Sequence, residues 1–125
     1  VNVQPFVVDD LIFGMDGDGT MTAVEIPSGI RLWETGQPVA ERPVRSGSAY
    51  IVQHQHRFFM FTEKGELVIC RLSRKGYEEI DRARVLDPTN RASGRPVVWS
   101  MPAFAGTRMF ARNDRELVCV ELKAQ

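Results

Sequence analysis

Three stretches of the chain, Phe13–Ile26, Phe59–Leu72 and Met109–Leu122, read as copies of one another. In register, Met21, Leu67 and Leu117 coincide, as do Ile26, Leu72 and Leu122, with a repeat step of 46 and then 50 residues. The runs before the polar break line up as well: Leu11-Ile12-Phe13, Arg57-Phe58-Phe59 and Thr107-Arg108-Met109. Periods of about 20–50 residues mark solenoids and propellers, and about 40–50 is the length of one four-stranded blade. Such a unit cannot bury its faces alone. The copies must stack, which constrains architecture far more tightly than chemistry.

The first copy is the clearest. Phe6-Val7-Val8 and Leu11-Ile12-Phe13 flank an Asp9-Asp10 turn, and Asp16-Gly17-Asp18-Gly19 turns the chain into Met21–Ile26. Gly and Asp tolerate the positive φ of tight hairpins. Pro27-Ser28-Gly29 then leads into Ile30–Trp33. Four strands joined by short turns predict one antiparallel meander. The second copy follows the same order: Ala49–Val52, a His54-Gln55-His56 turn, Phe58–Phe61, a Glu63-Lys64-Gly65 turn, Leu67–Cys70, an Arg74-Lys75-Gly76 turn, and Tyr77–Arg84. Tyr77–Arg84 has a helix-compatible composition, but its place in the repeat predicts a strand.

Leu86–Pro96 is dense in turn formers and reads as an irregular loop. The third copy follows as Val97–Ala103, Thr107–Ala111 and Leu117–Leu122, with no fourth strand. Before Phe6 there is room for a very short strand at most, at Val1–Gln4. Closed propellers use about four to eight blades, so two blades and part of a third are expected to be a portion of a larger ring. The expected fold class is all-β, with antiparallel blades at 4–35, 47–86 and, in part, 97–123.

Sixteen basic residues balance sixteen acidic ones, so no long-range field draws the chain to nucleic acid or an anionic membrane. No apolar run approaches the roughly 20 residues of a membrane-spanning helix. The chain opens at Val1-Asn2 without a Met, which reads as loss of an upstream segment and is compatible with export. Cys119 matches Ile69 in the repeat, not Cys70. Consecutive strand residues face opposite ways, so the two thiols are expected to be free, buried and on different sides of their sheets.

Asp18-Gly19-Thr20-Met21-Thr22-Ala23-Val24-Glu25-Ile26-Pro27-Ser28-Gly29, followed by Leu32-Trp33, resembles the blade motif of the PQQ-like, or quinoprotein-like, β-propellers. That motif is an Asp-Gly turn, a small/apolar strand, a Thr-Gly turn and a Trp; Ser28 stands where Thr is usual. The second copy keeps Lys64-Gly65 and Leu67 without the Trp. The third has Asn113-Asp114-Arg115 at the glycine turn, and Trp99-Ser100-Met101-Pro102-Ala103 with Gly106 resembles an outer-strand opening. The likeness runs from Gln4 to Leu122. It implies a propeller fold and export from the cytoplasm, to the periplasm or beyond. It spans quinone-dependent alcohol dehydrogenases, outer-membrane assembly subunits and secreted proteins without assigned activity. It also implies that Trp33 packs between blades, with its N–H on a backbone partner.

Catalytic signatures are absent: no Gly-x-Ser-x-Gly elbow, phosphate loop or His-Glu-x-x-His helix occurs. Counted as a calcium loop from Asp16, the sixth and twelfth positions are Met21 and Pro27, where Gly and a bidentate Glu are required. The Asp-Gly run is therefore a hairpin turn. His54 and His56 could both project from one side of a strand as metal ligands, but they fall at a turn without a third ligand nearby, and no metal is expected. The adjacent-cysteine disulfide of quinone-dependent alcohol dehydrogenases is missing.

Function is expected on the rim formed by the middle turns, carrying Asp16, Asp18, Lys64, Arg112, Asp114 and Arg115, with Leu86–Pro96 adding contacts. The expected activity is non-enzymatic: a binding or scaffold module whose partners are another protein or the remaining blades of the parent propeller. The alternative is a portion of a quinone-dependent dehydrogenase, with PQQ and Ca²⁺ as its cofactors. A third expectation is self-association through open sheet edges.

Overall fold

The computed structural model describes residues 4–123. Of Val1–Gln4, where the short leading strand was read, Val1–Val3 lie outside the described residues and Gln4 is not in a strand. The fold is all-β. Strands β1 (Phe6–Val8), β2 (Leu11–Met15), β3 (Met21–Glu25) and β4 (Arg31–Thr35) form one four-stranded antiparallel meander. A second is built from β5 (Ala49–His54), β6 (Arg57–Thr62), β7 (Glu66–Ser73) and β8 (Gly76–Arg84). β9 (Asn90–Ala92) and β10 (Arg95–Val97) make a separate two-stranded hairpin. β11 (Ala103–Ala105), β12 (Arg108–Arg112) and β13 (Leu117–Glu121) form a three-stranded sheet. These meanders are propeller blades, here blades one, two and three.

The repeat extends to fine backbone detail. Blade one shifts register between Ala23 and Val24, and blade two does so between Ile69 and Cys70, the equivalent step 46 residues on. One extra residue at that point bends each outer strand pair in the same way.

Side-chain alternation divides the core into two seams. Leu11, Phe13, Met21 and Ala23 of blade one meet Ala49, Phe58, Met60, Val68 and Cys70 of blade two, with Val39 of the connecting segment. Phe61 and Leu67, on the opposite face of blade two, meet Met109 and Ala111 of blade three, with Leu86 and Val98. Blade two is thus covered on both faces. Phe13, Met60, Phe61 and Met109 are each at most 1% exposed, and burial of side chains that size contributes about 1.5–3 kcal/mol apiece.

Trp33 fastens the first seam as the family resemblance implied. Its indole N–H donates to the Ser73 carbonyl of blade two at 2.7 Å, and its ring lies 5.9 Å from that of Phe13. Arg74 of blade two reaches back to Asp10 at 2.9 Å and also pairs with Glu25.

Four features differ from the sequence reading. Leu86–Pro96 is not irregular throughout, since β9 and β10 pair across a Ser93-Gly94 turn with φ of 51° and 80°. Positive φ at both central residues is what a tight hairpin demands, and Ser is an uncommon residue to supply it. Val97–Ala103 is not one strand: β10 ends at Val97, Val98 N–H donates to the Glu63 carbonyl at 2.7 Å, and Pro102 has no N–H to give a ladder. The third copy is shifted by one residue before its turn. Phe13 pairs with Ala23 and Phe59 with Ile69, but Cys119 pairs with Phe110 rather than Met109. Its turn is one residue shorter, and a one-residue slip exchanges the faces of a strand. Finally, Cys70 is buried and free, but Cys119 is free and exposed, because its face of blade three has no blade packed on it.

Candidate functional site

Alternate turns of a meander lie at the same end of the sheet. The β2–β3, β6–β7 and β12–β13 turns therefore share one rim with the segments that connect the blades. Backbone hydrogen bonds tie the first two turns to a connector: Val44 N to Asp18 O at 2.8 Å, Ser46 N to Gly17 O at 2.7 Å, Glu63 N to Ser48 O at 3.1 Å, and Leu86 N to Gly65 O at 3.1 Å. The approach is close enough to require glycine. A Cβ on Gly65, whose φ is +77°, would lie 2.1 Å from the Leu86 carbonyl oxygen.

One position of this turn has a different solution in each blade. Gly17, Glu63 and Asn113 each stand four residues before the matched Met21, Leu67 and Leu117. Gly17 uses its carbonyl alone. Glu63, 3% exposed, receives Arg95 through two nitrogens at 2.7 and 2.8 Å, and Trp99 Nε1 at 3.2 Å. Asn113, 8% exposed, donates to Asp87 O at 3.0 Å and accepts the Arg115 and Glu116 N–H groups at 2.8 and 2.9 Å. A bidentate guanidinium–carboxylate pair is among the stronger polar contacts. Here it clamps the β9–β10 hairpin onto blade two.

Above this clamp, the second seam opens into a cleft of about 170 Å³. Thr89, Asn90, Trp99, Ser100, Arg112 and Asp114 contribute to its walls. Tyr50 OH donates to Trp99 O at 2.9 Å, Asp114 N–H donates to Thr89 Oγ1 at 3.2 Å, and Ser100 OH donates to Arg112 O. The walls come from three chain segments and are hydrogen-bonded to one another.

The six rim residues read from the sequence do not converge. Arg112 and Asp114 share this cleft. Arg115 is exposed on the same turn but does not line it. Asp18 borders a different cleft of about 230 Å³, between the blade-one turn and its connector, beside Glu34, Glu41 and Arg42. Its carboxylate accepts the Thr20 N–H at 3.0 Å, and that bond, assisted by the Thr20 hydroxyl, holds its pKa below the ordinary value. Asp16 accepts the Thr22 hydroxyl at 3.2 Å and faces Arg31 at 3.8 Å. Lys64 is exposed and lines neither of these clefts, with its carbonyl accepting from Arg84 at 3.5 Å. His54 and His56 are exposed; His56 borders a third cleft, of about 280 Å³, with Gln53, Arg71 and Glu78. Among the described residues, no three His, Cys, Asp or Glu side chains gather as a metal site.

Sequence reasoning missed Glu63, Arg95 and Asn113 as parts of a site. The usable signal was the matched turn position itself, which carries glycine in one copy and a hydrogen-bonding side chain in the other two.

The family model described as outer membrane protein assembly factor BamB matches residues 1–125. The chain belongs to this PQQ-like propeller family. No curated protein matches the sequence. Among solved structures, BamB from Moraxella catarrhalis superposes with a TM-score of 0.59 at 18% identity, over 93% of this chain and 30% of that one. The quinohemoprotein alcohol dehydrogenase from Comamonas testosteroni gives 0.56 at 14% identity, over 89% of this chain and 17% of that one. At such identities the likeness is one of fold. The chain spans less than a third of either structure. No helix among the described residues is long and apolar enough to cross a membrane.

Proposed function

We propose that this PQQ-like propeller chain is a non-enzymatic protein-binding module within a larger propeller. The observation that carries the reading is the rim's construction. The buried Glu63 and Asn113 side chains are spent on fastening the rim's turns to neighbouring segments, while Lys64, Arg112, Asp114 and Arg115 stay exposed. A rigid frame with solvated charges suits recognition of a surface. The family's printed description as an outer-membrane assembly factor favours an exported protein, working in the periplasm or outside the cell. Fractionation of cells expressing the full-length protein tests the location.

The outward faces of blades one and three are the proposed docking faces for the remaining blades of the parent propeller. Val7 and Leu117 lie there, 58% and 71% exposed. Without those blades, the same faces favour self-association, to be read as a concentration-dependent native mass by light scattering.

The placement of the two tryptophans supports a reading without a resident quinone. Trp33 donates its N–H into the first seam, and Trp99 directs its own onto Glu63. Neither is paired with a second aromatic plane across an open channel. We assign the chain no cofactor. A Ca²⁺-dependent thermal shift on adding the quinone to the full-length protein would overturn that assignment.

The binding surface is tested by the double charge reversal Arg112→Glu/Arg115→Glu. Capture of partner proteins by the full-length protein should be lost with its thermal midpoint unchanged. Retention of every partner would remove this rim from the reading.

A further inference from the structure

We propose that this chain docks head to tail on a second copy of itself: the outward face of blade three meets the outward face of blade one, and Arg112 of one copy faces the Asp16–Arg31–Glu34 cluster of the other. The inference deepens the docking role given above to these two faces and rests on it. The two closed seams supply the rule. The cross-strand partners of the matched Met21, Leu67 and Leu117 are Met15, Phe61 and Arg112. Each of these pairs lies on the leading face of its blade, the one turned away from the preceding blade. Met15 and Met21 belong to the first seam, and Phe61 and Leu67 to the second. The neighbouring pairs, Gly14 with Thr22, Met60 with Val68 and Ala111 with Val118, lie on the opposite, receiving face. Met60 and Val68 receive blade one, and Ala111 and Val118 receive blade two. Each seam thus joins a leading face to a receiving face. One of each is left open: the leading face of blade three and the receiving face of blade one. A contact between unlike faces is heterologous, not self-complementary.

The two open faces depart from the closed ones with opposite charge. Where Met15 and Phe61 are apolar, blade three carries Arg112, which is exposed and, among the described residues, makes none of the ion pairs. Where Val68 and Val118 are apolar, blade one carries Thr22, whose hydroxyl donates to Asp16 at 3.2 Å. Asp16 faces Arg31 at 3.8 Å, and Arg31 pairs at 2.7 Å with Glu34, the ladder partner of Thr22. Two carboxylates share one guanidinium, so this face holds a surplus negative charge, which Arg112 complements. Arg112 ends β12 and Asp16 follows the end of β2, so both lie at the rim end of their sheets. Beside them, half-buried Phe110 on blade three and exposed Val7 on blade one share these faces and leave apolar surface to cover. Two copies of three blades supply six, within the roughly four to eight of closed rings. Both open faces of each copy are then used. Among the described residues blade three has no fourth strand to supply a contact like that of Trp33. The new seam is therefore the weakest of the three: copies pair at high concentration, and Leu117 stays bare in dilute solution.

Light scattering on the 125-residue chain over a concentration series tests the pairing, together with the variants Leu117→Arg and Val7→Arg. These positions are 71% and 58% exposed, where the fold tolerates substitution. The unaltered chain should reach twice its monomer mass and stop there. Each variant alone should stay monomeric, because every seam then lacks one of its two faces. An equimolar mixture should give a mixed dimer by native mass spectrometry. In it the Val7→Arg copy keeps its leading face and the Leu117→Arg copy keeps its receiving face. Arg112→Glu should raise the dissociation constant of the otherwise unaltered chain by about tenfold or more, since it places like charges opposite one another, and Arg112→Gln by less. A chain that is monomeric at every concentration, a dimer that survives in either variant, or a mixture that never pairs would each overturn the proposal. Growth beyond two copies or indifference to Arg112→Glu would do the same. The underlying docking reading is tested apart, in the parent protein, where Leu117→Arg should lower stability if further blades cover that face. A monomeric chain with a destabilised parent removes the head-to-tail pair alone. A dimeric chain with an unaffected parent removes the docking of further blades alone.

Discussion

The two blade seams are built from the same repeat yet solve different problems. The first is an aromatic and aliphatic contact. Phe6, Phe13 and Phe58 meet at ring distances of 5.6 to 6.1 Å, Trp33 caps the group, and the connector from blade one folds Val39 into the core. The second has fewer buried apolar residues and replaces the difference with a polar clamp, Glu63–Arg95–Trp99, that carries an extra hairpin on the rim. Apolar burial is non-directional and holds blades together. A bidentate ion pair is directional and fixes where a loop points. The first seam builds the propeller, and the second presents a surface.

That division orders the consequences of substitution. Phe13→Ala should be the most damaging change. The side chain is 1% exposed at the centre of the first seam, and deleting a buried Phe costs about 3–5 kcal/mol. The loss should appear in chemical denaturation as a global fall in stability. Glu63→Gln should cost less, about 2 kcal/mol. Breaking a buried pair costs up to about 3–5 kcal/mol, but Arg95 keeps 22% side-chain exposure and can rehydrate. Its signature should be local: Trp99 emission shifts, and protease sensitivity rises at the β9–β10 hairpin while the blade-one amides keep their exchange protection. A loss of protection in blade one would show that the clamp supports the whole chain, and the contrast between the seams would collapse.

The seams also differ in what was legible beforehand. The first could be read from the sequence because repetition fixes apolar positions, and Met21, Leu67 and Leu117 align by eye. The Trp33 contact followed from the family motif. The clamp was not legible, because Glu63 and Arg95 are 32 positions apart and each has the composition of a solvated turn or loop. Nothing local marks a Glu whose partner arrives from a later hairpin. The slip in the third copy was hidden for a similar reason. Met109 is as apolar as the Phe110 that occupies the matched place, so hydrophobicity alone could not detect the shorter turn.

Thiol chemistry probes the first seam from another side. Burial, with the Glu79 charge as a second cause, pushes Cys70 up from 9.0 to about 12. Tyr77 in the same seam is also raised, chiefly by burial and then by its hydrogen bond to Glu79. Between about pH 9 and 12, the folded chain holds the Cys70 proton that the unfolded chain has released. Stability should therefore be intact below pH 9 and fall as pH rises through that window. At pH 8, exposed Cys119 should alkylate readily and Cys70 only on unfolding. Equal labelling rates would mean that the first seam opens far more often than its packing implies.

The smallest expected effect isolates what a seam is worth at a single position. Leu67 and Leu117 are matched residues, each at the start of the third strand of its blade and on the face directed away from the preceding blade. Leu67 is 6% exposed because blade three covers it, and Leu117 is 71% exposed because nothing does. Leu67→Ala should cost about 2–4 kcal/mol, whereas Leu117→Ala in this 125-residue chain should stay within about 0.5 kcal/mol. The chemistry deleted is identical, so the difference measures the packed neighbour alone. The same Leu117→Ala change in the parent protein then reports directly on whether another blade lies there. A cost approaching that of Leu67→Ala would show the face covered by a further blade. An unchanged small cost would leave it free for an external partner.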